Sequence, residues 1–215
     1  MLHGALSGSV RYNPPRHYKD FVKEGKVPVI LIPGVLAKWT FLKSLGDKIS
    51  LEGHPVYVIS DLKYNLFSIP ESAKILKKVI DDIKKDNKEF QNACIVAHSK
   101  GGLIGKYFLI HFNDDKSISK MISLATPYSG SGMAKLLPLE PMKELQNDSL
   151  IIKDIKNNIN VNHMITSIIP EYDNHVWAEE GSYLDGAKNI KVNIHGHHKI
   201  VFDKSVQEVV LNELS

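Results

Sequence analysis

The chain has 215 residues, 43% hydrophobic and 24% charged, an ordinary balance for one folded domain with a sizeable core. A formal net charge of +3 is too small to argue for nucleic acid and permits only weak attraction to an anionic surface. The single cysteine, Cys94, excludes a disulfide-stapled fold and lies in an apolar run, so it reads as a buried thiol.

Met1-Leu2-His3-Gly4-Ala5-Leu6 has no charged start and no sustained apolar stretch, which makes it a poor signal peptide. No run approaches the roughly 18 to 20 apolar residues of a membrane span. A cytoplasmic location is the expectation. Residues 1–26 are polar and turn-rich, broken at Asn13-Pro14-Pro15, and are expected to pack irregularly on a single domain filling 27–215.

Val27 to Ile32 is an apolar, β-branched run that suits a strand covered on both faces, ending at Pro33-Gly34. Trp39 to Glu52 reads as a helix, and Pro55 to Ile59 as a second buried strand ending in Ser60-Asp61. Glu71 to Lys88 is an amphipathic helix. Ile75, Val79 and Ile83 share one face, and its many charges form the solvated side. Ala93 to Ala97 is a strand that feeds a helix reaching about His111. Lys120 to Ala125 is another strand, ending in Thr126-Pro127. Residues 130–160 read as helical, with interruptions at Pro138 and Pro141. His163 to Ile169 and Ile190 to Ile194 are the last two strands, and a final helix spans about Lys204 to Glu213. Strands alternating with helices give a parallel α/β sheet.

In such sheets the working groups gather at the carboxyl ends of the strands. Here those ends carry Gly34, Asp61, Ser99, Thr126, Asp173 and His197. Ala97-His98-Ser99-Lys100-Gly101-Gly102 places a serine between small residues at a strand-to-helix turn, as a nucleophile elbow requires. A serine in that position needs a base, and the base needs an acid to orient it. His195, His197 and His198 crowd the last strand end, with His197 the first choice as base and His198 the fallback. Asp173 is the first choice as acid; Glu171 and Asp185 are its rivals. The order serine, acid, histidine differs from the chymotrypsin-like and subtilisin-like orders. The three histidines lack a supporting carboxylate or cysteine spacing, so no metal site is expected. Asp61 reads as a helix-capping group rather than a rim residue.

Five stretches together resemble the α/β-hydrolase superfamily, within it the small lipases and lipid esterases. They are Ile32-Pro33-Gly34-Val35, the Ala97–Gly102 turn, Leu124 to Ser131, Asp173-Asn174-His175-Val176, and Gly196-His197-His198-Lys199-Ile200-Val201. The resemblance implies a minimal α/β-hydrolase fold: a mostly parallel central sheet of about six strands, helices on both faces. It implies Ser99 as nucleophile, His197 as general base and Asp173 as acid, with no cofactor. The backbone N–H groups of Val35 and Lys100 would form the oxyanion hole. Lipases often carry His-Gly where this chain has Pro33-Gly34, and Ala97 stands where many have glycine. The implied activity is cleavage of carboxylic esters of lipids or other acyl groups, with transient contact at a lipid interface. Acyl transfer, thioester or amide cleavage, or a non-catalytic lipid-binding or partner-binding role are the alternatives. Leu36, His98, Met133 and Leu136 are expected at the substrate site, His98 also packing beside the elbow. The apolar stretch from Met133 to Leu145 is either a lid or acyl-binding wall, or a buried connecting helix.

Overall fold

The structure, a computed structural model, describes residues 14–135, 140–176 and 181–215. Six strands form one sheet: β1 (Val29–Ile32), β2 (Val56–Val58), β3 (Ala93–His98), β4 (Ile118–Leu124), β5 (Ile165–Tyr172) and β6 (Lys188–His195). Their order is β2-β1-β3-β4-β5-β6, and every pairing is parallel. β1 and β3 are buried at every position, which is why they carry continuous apolar runs instead of alternation.

Helices cover both faces: α1 (His17–Asp20), α2 (Lys43–Leu51), α3 (Ile69–Asp86), α4 (Lys100–His111), α5 (Glu140–Lys143), α6 (Leu150–Asn157), α7 (Lys199–Phe202) and α8 (Lys204–Leu214). Successive strand residues feed opposite layers. Ile30, Ile32, Ile95, Ala97 and Met121 pack with α3, α4 and α6. Val29, Leu31, Val96, Ile122 and Leu124 pack with α2, α7 and α8. Cys94 is buried in this second layer.

Several elements depart from expectation for local reasons. The Trp39 helix is a 3-10 turn, Trp39–Leu42, followed by α2. α3 starts earlier, at Ile69, because Ser68 and Glu71 form a reciprocal capping box and Pro70 fits the first turn. Asp61 lies in a 3-10 turn, Ser60–Leu62, whose cap makes no side-chain hydrogen bond. The 130–160 segment is helical in pieces, a 3-10 turn, Gly132–Lys135, then α5 and α6; Pro141 falls in the first turn of α5, and Pro138 lies outside the described residues. β5 runs past Pro170. The Ile168 carbonyl accepts from the Ala125 N–H, so the nitrogen of Pro170, two residues on, faces the side where β4 has ended. Within the polar N-terminal stretch, α1 buries Tyr18 over Gly46, where an added Cβ would meet the phenol oxygen at 2.5 Å. No helix among the described residues is long and apolar enough to cross a membrane.

Candidate active site

β3 delivers Ser99 to the end of the sheet and α4 begins at the next residue. Ser99 holds φ 54 and ψ −124, a left-handed backbone that costs a non-glycine residue about 1–3 kcal/mol and marks a tight turn. The turn survives because its neighbours are small. A Cβ on Gly101 would lie 2.3 Å from the Ile32 carbonyl oxygen, and one on Gly102 2.0 Å from Thr126 Oγ1. Thr126 Oγ1 donates to the Ser99 carbonyl at 3.1 Å, and the Ser99 N–H donates to the Leu124 carbonyl at 2.9 Å. Although Ser99 sits at the N-cap of α4, its hydroxyl makes no capping bond.

That hydroxyl instead lies 2.8 Å from His197 Nε2. The opposite ring nitrogen, Nδ1, lies 2.8 Å from Asp173 Oδ2 and 3.1 Å from Oδ1. Asp173 follows β5 and His197 follows β6; pairing of these neighbouring strands, with Tyr172 opposite His195, brings acid and imidazole together. The carboxylate also accepts the N–H groups of His175 and Val176, at 2.8 and 3.0 Å. Burial pushes the Asp173 pKa up, but hydrogen bonding to His197 and its charge, with the two backbone donors, outweigh this and leave it below the usual value. An ionised Asp173 holds the proton on Nδ1 and leaves the Nε2 lone pair for the serine.

The rivals are elsewhere. Glu171 pairs with His195 at 3.2 Å on the surface, and the Asp185 carbonyl accepts from Asn162 Nδ2. His198 is exposed and sets its ring edge-on to Phe41, while the hydrogen bond to Ser99 belongs to His197. His98 is buried, its Nε2 2.9 Å from the His197 carbonyl, and it also lines the cavity. Burial and the nearby His197 push its pKa down to about 3, so the ring is neutral and Nε2 donates. His175, to which the sequence pattern assigns no role, lies with its ring 4.4 Å from that of His197. Burial, then His197 and His198, lower its pKa to about 4.

Gly34 lets the Pro33–Leu36 loop approach closely: a Cβ there would sit 3.1 Å from both His98 Nδ1 and Ser99 Cβ. Among the described residues neither the Val35 nor the Lys100 N–H has a hydrogen-bond partner. Two buried residues hold this loop. Asn65 Nδ2 donates to the Pro33 carbonyl at 2.7 Å, and Lys100 Nζ donates to the Asn65 carbonyl at 3.1 Å and to that of Phe67. Burial lowers the Lys100 pKa to about 8 against the pull of Glu144 and Glu71. No local pattern marks Asn65 for this part; its backbone is left-handed, φ 53.

A cavity of about 550 Å³ opens over Ser99. Its wall is largely apolar, with Leu36, Phe41, Met133, Met142, Leu145 and Val176 among its residues. Leu36 and Met133, expected at the substrate site, line this cavity, while Leu136 lies outside the described residues.

The sequence profile described as alpha/beta hydrolase of unknown function (DUF915) matches residues 44–176, more than half of the chain. No curated protein matches it in sequence. Among solved structures, the mature form of Bacillus licheniformis lipase BlEst2 superposes with a TM-score of 0.74 at 16% identity, over 92% of this chain and 95% of that one. Aspergillus fumigatus lipase B gives 0.74 at 17% identity, over 91% of this chain and 54% of its own longer one. A Paleococcus ferrophilus monoacylglycerol lipase gives 0.62 at 13% identity, over 88% and 95% of the two chains. At these identities the likeness is one of fold.

Proposed function

This chain belongs to the DUF915 family of alpha/beta hydrolases, and from that premise we propose that it is a serine hydrolase cleaving carboxylic esters with an apolar acyl group. The observation that carries the reading is the unbroken relay from Ser99 Oγ through His197 to Asp173, with 2.8 Å at each step. His197 Nε2 takes the hydroxyl proton as Oγ attacks the ester carbonyl. The oxygen then turns anionic and is met by the free N–H groups of Val35 and Lys100, each such donor being worth roughly 10²–10³ in rate. As the tetrahedral species collapses, the proton on Nε2 passes to the departing alcohol. Water repeats the sequence on the acyl-enzyme, returning the hydroxyl to Ser99 and releasing the acid. None of these steps calls on a cofactor.

The apolar cavity wall supports an aliphatic acyl group, and the lipase names of the fold relatives point the same way. Half-exposed Leu36 and Tyr64 at the cavity support transient contact with a lipid interface. In this reading residues 27–215 act as one hydrolase domain. Labelling with a fluorophosphonate and initial rates on aryl esters of graded acyl length test it. The expected result is label on Ser99, turnover that is lost in Ser99→Ala, and faster cleavage as the acyl chain lengthens to fill the cavity. Folded protein that takes no label at neutral pH overturns the reading.

A further inference from the structure

We propose that His175, His197 and His198 form a binding site for a divalent transition-metal ion of the zinc type, and that metal bound there silences Ser99. One ligand nitrogen from each ring lies within 4.8 Å of the others. Bonds of about 2.0–2.1 Å from each nitrogen to zinc bring tetrahedral ligands to about 3.3 Å apart, so the rings need only a modest inward turn. Two of them are free to make it. Among the described residues neither ring nitrogen of His175 or His198 makes a hydrogen bond. The backbone beneath His175 is fixed all the same: its N–H donates to Asp173 and its carbonyl accepts from Ser131 Oγ at 2.8 Å. A free ring on an anchored backbone is a ligand already in place. His198 is exposed at the start of α7 and opens the site to solvent.

Three imidazoles with an open fourth position suit zinc, copper or nickel and offer nothing to magnesium or calcium, which take oxygen. The third ligand is what makes the metal inhibitory. His197 Nε2 holds the lone pair that accepts the Ser99 proton; once that pair is given to a metal, the serine has no base. Among the described residues, the other histidines offer at most a two-ligand pair with a carboxylate, as in His195 with Glu171, His111 with Asp154 and His17 with Asp47.

Zinc uptake stands on the three rings alone, and the silencing rests on the serine hydrolase reading. The test uses the whole chain, treated with a chelator and freed of it. Calorimetric titration with zinc reads binding, and fluorophosphonate labelling of Ser99 with and without zinc reads its effect. One zinc per chain is expected, with labelling suppressed and then restored by EDTA, and no response to magnesium. The His175→Ala/His198→Ala double variant should weaken binding by more than the roughly 10- to 100-fold that loss of an outer-shell partner costs. His198→Asn alone, an exposed change that leaves the fold undisturbed, should weaken it in the same direction. Equal zinc affinity in wild type and both variants overturns the site. Normal labelling of zinc-loaded wild type overturns the silencing. Absence of labelling without zinc overturns the hydrolase reading, while the titration still decides the metal site.

Discussion

Ser99 and Met133 face the same cavity, yet the chain holds them in opposite ways. Around Ser99 the backbone and the catalytic side chains are held by directed hydrogen bonds. The strand, the left-handed turn, Thr126 and the glycines leave no room for another side chain. Asn65 and Lys100 tie the Pro33–Leu36 loop to the elbow. Met133 belongs to a 3-10 turn of four residues, and Met142 to a helix of four. Ala134 and Met142 of these short pieces pack in the apolar core, and Ser131, just before the turn, donates to the His175 carbonyl. Methionine fills irregular space and repacks easily. Rigid chemistry beside an adaptable wall is the arrangement expected where one reaction serves acyl groups of differing shape.

The comparison breaks most sharply at the acid. Asp173→Asn should leave the fold intact and cut turnover by about 10⁴, because the ring then presents the wrong tautomer to Ser99. A loss smaller than tenfold in steady-state assays would mean that the relay is not what activates the serine. Lys100→Met removes the pin while keeping the backbone donor. It should lower kcat by about tenfold with KM nearly unchanged, since a mis-set oxyanion loop weakens only the transition state. A change confined to KM would assign Lys100 to substrate binding instead.

The fixed floor also carries an acid sensitivity. His98 is neutral when folded, with a pKa of about 3, and takes up a proton near 6.5 once unfolded. The unfolded chain thus binds more protons between these values, so stability falls as pH drops from 6.5 toward 3, by up to about 1.4 kcal/mol per unit. Thermal melts across that window should show the decline, and His98→Asn should flatten it. The smallest effect belongs to the adaptable wall. Met133→Ala and Met142→Ala should change the rate on an acetyl ester by less than about threefold while moving the preferred acyl chain to longer members, as repacking and the enlarged space allow.

Much of the floor was legible because its chemistry is local. The run of apolar residues marked β3, and the small residues about Ser99 marked the turn. His197 and Asp173 were legible as strand-end residues, while their pairing depends on β5 and β6 being neighbours. What escaped was held by long-range contact. Asn65 supports Pro33 from 32 residues away, and no local pattern announces that. His175 was visible beside Asp173, but its place against His197 needs the fold. The interrupted helical character of 130–160 was legible, but Pro141 lies inside α5 instead of breaking it, because proline is tolerated in the first turn of a helix. Ser68 and Glu71 were a readable capping signal that the reading of Glu71 as a helix start passed over.

If Ser99 and His197 act as nucleophile and base, the position of β6 at the sheet edge makes the base the last part to arrive during synthesis. Ser99 and His197 are 98 residues apart, and His197 arrives only after β6. A ribosome that has finished β1 to β4 has already released the parts of the elbow, but the growing chain still has no group to take the serine proton. In this reading, chemistry begins only when the last strand pairs with β5.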